Sequence, residues 1–185
     1  MASSSISGYS LLEESQISLE ITTEDAPEFV QTNGVFYQAN AEIGGLVAAL
    51  HGKALKLEHY DMFKSKFDQR IAKILENYVP TFTFLLGPHE GAFYASTTAK
   101  EEGTRLSVYM WGENTVLEFS FSSHLGEYKG LTGLNGLIAI PYTQLTKRGF
   151  QDFRVNMKEG GVTPATRFLS DIWLVKGLCL SDKPP

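Results

Sequence analysis

One cysteine, Cys179, is the whole thiol inventory of this 185-residue chain. A single thiol excludes an intramolecular disulfide and a cysteine-built zinc site, and it points to a reducing, intracellular setting. No apolar run approaches the roughly 18 residues that a membrane-spanning helix needs. The N-terminus has neither the apolar core of a secretory signal nor the Arg-rich, acid-poor character of a transit peptide. The expectation is an intracellular protein, with an organelle entering only through a targeting segment outside this sequence. Histidine is also scarce, with His51, His59, His89 and His124 the complete set. No His-Glu-x-x-His, Gly-x-Ser-x-Gly or phosphate-gripping loop occurs, and Gly44-Gly45 lacks the Lys-Ser/Thr such a loop requires. Cys179 sits between leucines, the setting of a buried, inert thiol. These absences give the expectation of no enzyme, no metal and no cofactor.

What remains is a globular composition. Hydrophobic residues make up 43%, charged residues 20% and aromatic residues 12%, enough for one core without covalent staples. The organisation expected is a flexible lead over 1–16, a single α+β domain over 17–180 and a short tail over 181–185.

The net charge of −5 is unevenly placed. Six acids (Glu13, Glu14, Glu20, Glu24, Asp25, Glu28) fall in residues 1–30, which hold no Lys or Arg; from 31 onward 16 basic residues face 15 acidic ones. The densest basic stretch is Lys53, Lys56, Lys64, Lys66, Arg70 and Lys73, against Glu58, Asp61 and Asp68. Such a stretch reads either as a solvated helix face with i,i+4 pairing or as an electrostatic footprint for phosphate.

Ile17 to Ile21 alternates apolar and polar, the pattern of a half-buried strand. Val35 to Gln38 reads as a short aromatic strand, Leu46 to Leu50 as a buried strand or a short helix, and Lys53 to Leu57 as another strand. Phe63, Phe67, Ile71, Ile74, Leu75 and Tyr78 then share one helical face, which predicts a helix over about 61–78. Strands follow at Thr81–Leu86, Ala92–Thr97, Arg105–Trp111, Val116–Ser122 and Leu137–Ile140, with the third and fourth expected to pair as a hairpin around Gly112–Asn114. Thr143 can cap a second helix to about Phe153. Phe168 to Leu180 is apolar and must pack on the body or on a partner. Strands in runs predict an α+β fold with antiparallel sheets.

Three short stretches carry a resemblance: Ala26-Pro27-Glu28-Phe29-Val30 with Gly34-Val35-Phe36, His59-Tyr60-Asp61, and Ile140-Pro141-Tyr142-Thr143 leading toward Phe150. Together they resemble the Whirly family of single-stranded DNA-binding proteins, whose fold is shared by the kinetoplastid mitochondrial RNA-binding proteins. The resemblance implies two antiparallel sheets of about four strands, each followed by a helix, and a homotetramer. The family's Lys-Gly-Lys-Ala-Ala-Leu motif has no counterpart on Gln16–Ile21, and its nearest look-alike, His51-Gly52-Lys53-Ala54-Leu55, stands elsewhere in the order.

The function so implied is non-enzymatic binding of single-stranded DNA or RNA, by base stacking and Lys/Arg contacts to phosphate. The candidate nucleic-acid-binding residues are Tyr37, Lys53, Lys56, Lys64, Lys66, Tyr94, Arg105, Tyr109 and Trp111. The alternative is an acidic protein-interaction or inhibitor module that binds no nucleic acid. The apolar stretch ending at Leu180, or the last helix, is the expected oligomer contact.

Overall fold

The computed structural model describes residues 11–50, 53, 55–86, 92–95, 105–120, 123–125, 128–132, 138–141, 143–144, 147, 152–166 and 175–182. Its helices are α1 (Ala26–Asn33), α2 (Ala41–Ala49), α3 (Tyr60–Lys64) and α4 (Gln69–Ile74). Its strands are β1 (Gln38–Ala39), β2 (Tyr78–Leu86), β3 (Ala92–Ala95), β4 (Arg105–Trp111), β5 (Thr115–Ser120), β6 (Leu131–Thr132), β7 (Ile138–Pro141), β8 (Asp152–Met157), β9 (Gly161–Ala165) and β10 (Val175–Asp182). The fold is α+β with antiparallel sheets: a five-stranded sheet ordered β1-β9-β4-β10-β2, a three-stranded sheet β3-β7-β6 and a β5-β8 pair.

This is not the plan of two four-stranded sheets each closed by a helix. α1 to α4 all precede β2. The second helix expected from Thr143 is present at its start, where residues 143 and 144 are helical and Lys147 N donates to the Thr143 carbonyl at 3.4 Å, but it does not reach Phe153, which belongs to β8. The β4–β5 hairpin also fails to form. Gly112–Asn114 turns the chain, with Asn114 at φ 58, but β4 pairs with β9 and β10 while β5 pairs with β8. The turn therefore carries the chain from one sheet to the other. Of the two readings of Leu46–Leu50, buried strand or short helix, the structure takes the helix: the stretch ends α2, whose Asn40 cap accepts from the Ile43 amide at 3.1 Å. The described residues of the strand expected at Lys53–Leu57 are not in a strand; they lead into a 3-10 turn at Leu57–His59.

The long helix expected over 61–78 exists as two. Phe63, Ile71, Ile74 and Leu75 are buried as the periodicity requires. Asp68 interrupts the run because its carboxylate accepts from the Ile71 amide at 2.8 Å and starts a new helix there. Tyr78 already belongs to β2.

Of the apolar stretch assigned to an oligomer contact, residues 168–174 lie outside the described residues and residues 175–180 are used inside the fold. Residues 175–182 form β10, hydrogen-bonded to β4 on one side and β2 on the other. A strand paired on both edges has no edge left for a partner.

Helices α2 and α4 secure the rest. The five-stranded sheet turns Leu106, Val108, Met110 and Val162 toward the helices, α2 lying over β4 and β9. Arg70 of α4 is buried with its guanidinium 5.1 Å from the Phe36 ring centre, and its Nη1 donates to the carbonyls of Ile17 at 3.2 Å and Ser18 at 3.0 Å.

Candidate functional site

The other face of the five-stranded sheet looks toward the β5-β8 pair. Side chains two apart along a strand share a face, so Ser107, Tyr109 and Trp111 line this side of β4. All three are fully buried, as is Thr163 on the neighbouring β9. Trp111 Nε1 donates to Thr163 Oγ1 at 2.8 Å, and its indole stacks on Tyr109 with ring centres 5.7 Å apart and planes 13° from parallel. Tyr37, next to β1, reaches across to the second layer. Its ring stacks on Phe119 of β5 at 5.8 Å and lies 6.3 Å from Phe153 of β8.

The Tyr37 hydroxyl donates to the Glu13 carbonyl at 2.6 Å. Burial, and after it the Glu13 charge, pushes its pKa far above the ordinary phenol value. It stays a neutral donor throughout the physiological range. The described part of the interior is thus a packed stack of aromatic rings with a few hydroxyls.

The nine residues expected to bind nucleic acid do not form one surface. Tyr37, Tyr109 and Trp111 are fully buried, so no base can stack on them. The alternation of β4 was read correctly, but both of its faces are covered, one by helices and one by the second layer. Lys53, Lys56 and Lys64 are exposed. Lys56 pairs with Glu58 at 3.2 Å, Lys66 pairs with Glu42 at 2.9 Å, and Lys64 lies 5.9 Å from the Tyr60 ring centre. That is the solvated, paired face that helix charge patterning allowed. Tyr94 and Arg105 lie on β3 and β4, and their side chains fall outside the described residues. Thr163, Phe119 and Phe153 were not singled out from the sequence. No local signal links Trp111 to a threonine 52 positions later.

No family model matches the chain, and no curated protein is similar to it. Solved structures share its fold. The non-heme alpha-ketoglutarate-dependent carbocyclase SnoK from nogalamycin biosynthesis superimposes with a TM-score of 0.56 at 11% identity, covering 88% of this chain and 85% of that one. The epimerase SnoN, in complex with Fe3+, alpha-ketoglutarate and nogalamycin RO, gives 0.54 at 14% identity over 86% and 83%. AviO1 from Streptomyces viridochromogenes Tue57 gives 0.51 at 13% identity over 89% and 98%.

These likenesses overturn the Whirly resemblance, and with it the single-stranded DNA or RNA ligand and the expectation of a non-enzymatic chain. The three stretches that carried the resemblance are short, and the described strands form sheets of five, three and two rather than two sheets of four. Among the described residues no helix is long and apolar enough to cross a membrane.

Iron of the non-heme oxygenase kind is held by two imidazoles and one carboxylate converging on one side of the metal. Among the described residues no three His, Cys, Asp or Glu side chains converge in that way. His59 Nδ1 accepts from the Lys56 amide at 3.1 Å within its own turn, and His124 Nε2 lies 3.2 Å from the Gln31 carbonyl at the end of α1. His51 and His89 lie outside the described residues. The described residues by themselves do not make an iron site.

Proposed function

We propose that the chain is an enzyme acting on a small molecule, built on the cupin-like double-sheet fold that alpha-ketoglutarate-dependent epimerases and carbocyclases use. The observation that carries this reading is the superposition on SnoK over 88% of this chain at a TM-score of 0.56. The organisation that goes with it is one α+β domain over 17–180.

The experiment is anaerobic addition of Fe(II) and then alpha-ketoglutarate to the purified chain, followed by visible absorption, with conversion of alpha-ketoglutarate to succinate measured after oxygen is admitted. A charge-transfer band that saturates with alpha-ketoglutarate, together with succinate formation, is the expected result. Neither band nor succinate from a chain whose circular dichroism shows it folded would defeat alpha-ketoglutarate-dependent chemistry.

A further inference from the structure

Residues 11–18 form a small hairpin that touches both layers. Its base is closed by Ser18 N donating to the Leu11 carbonyl at 2.8 Å and by the Leu12–Ile17 bridge. Its turn is closed by Glu13 N donating to the Gln16 carbonyl at 3.0 Å. The tip lies between two strand edges that belong to different sheets. Ala39 N, on the outer edge of β1, donates to the Ser15 carbonyl at 2.8 Å. Asn156 N, on the outer edge of β8, donates to the Glu14 carbonyl at 3.0 Å. Tyr37, whose ring joins the layers through Phe119 and Phe153, gives its hydroxyl to the Glu13 carbonyl.

The two ends of this hairpin are held differently. At Ile17 the side chain is fully buried, its amide donates to the Tyr37 carbonyl at 2.9 Å, and Arg70 clamps the Ile17 and Ser18 carbonyls. At the tip, Glu13 and Glu14 are exposed and bury no apolar group. The Lys158–Glu14 ion pair spans 3.7 Å between side chains that are 71% and 72% exposed, a geometry that contributes little. The tip also fails to pack flush: a cavity of about 250 Å³ opens beside it, lined by Glu14, Ser15, Ala39, Asn156, Lys158 and Glu159. Segments tied by a few exposed backbone hydrogen bonds open at far lower cost than core strands.

We propose that the tip Glu13–Gln16 is a latch. It swings out as one unit about the fixed point at Ile17, breaks its bonds to Ala39, Asn156 and Tyr37 together, and opens the seam between β1 and β8. Behind that seam stands the Tyr37–Phe119–Phe153 cluster, so the motion uncovers these rings from the side. The latch stands apart from the enzymatic reading, because no ligand enters its mechanics or its test.

The test is residue-resolved hydrogen exchange on the full chain. The amides of Ala39 and Asn156 should exchange at one common opening equilibrium, about a hundredfold or more above the amides of Val108 and Met110 in β4. The Ile17 amide should stay as protected as β4. A second measurement uses Glu14→Cys with Asn156→Cys in a Cys179→Ser background. The oxidised form should slow Ala39 exchange about tenfold or more, and reduction should restore it. Unequal openings at Ala39 and Asn156, protection of both at the level of β4, or an Ile17 amide that opens with them would overturn the latch. Should the cysteine variant fail to fold, exchange on the unaltered chain decides alone.

Discussion

Trp111 and Thr163 are joined side chain to side chain across neighbouring strands, the indole N–H donating to the threonine hydroxyl at 2.8 Å with both residues fully buried. The bond satisfies the one polar atom of the largest fully buried side chain in the described core. It also fixes which way the ring lies, and Tyr109 stacks on the face so presented.

A double-mutant cycle tests that bond. Trp111→Phe and Thr163→Val each remove one partner and leave the other buried without it, so each single change should destabilise. The double variant should be less damaged than the sum of the singles, with a coupling of about 0.5–1.5 kcal/mol in denaturant titrations. Strict additivity would mean the two groups do not interact.

Adjacent glycines in α2 should respond in opposite directions. A Cβ on Gly44 would land on the Glu159 carbonyl oxygen and crowd Gly160, which turns the chain at φ 80, whereas a Cβ on Gly45 meets nothing within 4 Å. Gly44→Ala should cost about 1–3 kcal/mol through overpacking against the β8–β9 turn. Gly45→Ala should stabilise by about 0.5–1 kcal/mol by removing backbone freedom from an exposed helix position. Equal effects in thermal or chemical unfolding would show that α2 does not sit on that turn.

Alkaline pH should weaken the fold through Tyr37. Its folded pKa is raised by burial and by Glu13, while the unfolded phenol titrates near its ordinary value of about 10. Above that value the folded state keeps a proton that the unfolded state has lost. The contribution is therefore complete below pH ~10 and declines above it, by at most about 1.4 kcal/mol per pH unit. Tyr60, raised mainly by burial and then by Asp61, acts in the same direction. Stability measured against pH should fall less steeply above pH ~10 in Tyr37→Phe than in the unaltered chain.

Two phenylalanines on the same predicted helical face should differ. Phe63 is fully buried, and Phe63→Ala should cost about 3–5 kcal/mol. Phe67 lies in the break between α3 and α4, half-buried with its ring edge-on to Tyr60 at 6.5 Å. Phe67→Ala should cost clearly less than Phe63→Ala when the two are titrated side by side.

The apolar spacing at Phe63, Ile71, Ile74 and Leu75 was legible because it records which side faces the core. The break at Asp68 was not, because a carboxylate inside a run reads equally as a surface residue or as a cap. Likewise β4 was legible as a strand to the residue, while its pairing was not. Alternation reports two faces and says nothing of which strands lie alongside, and the partners of β4 come from residues 161–165 and 175–182. For that reason Tyr109 and Trp111 were correctly assigned to one side of a strand and wrongly assigned to solvent. The fold shared with SnoK, SnoN and AviO1 comes with only 11–14% identity, so the three-dimensional path of the chain discloses it where the sequence does not.

The position of β10 sets an order on biosynthesis. Gly177 stands between Tyr109 of β4 and Phe84 of β2, and among the described residues β10 is the strand that links the β1-β9-β4 part of the sheet to β2. A ribosome making this chain has already released both halves before it delivers the strand that joins them. Until residues 175–182 leave the exit tunnel, the backbone edges of β2 and β4 wait unpaired, and a nascent chain stalled before that point would offer both edges to whatever strand arrives first.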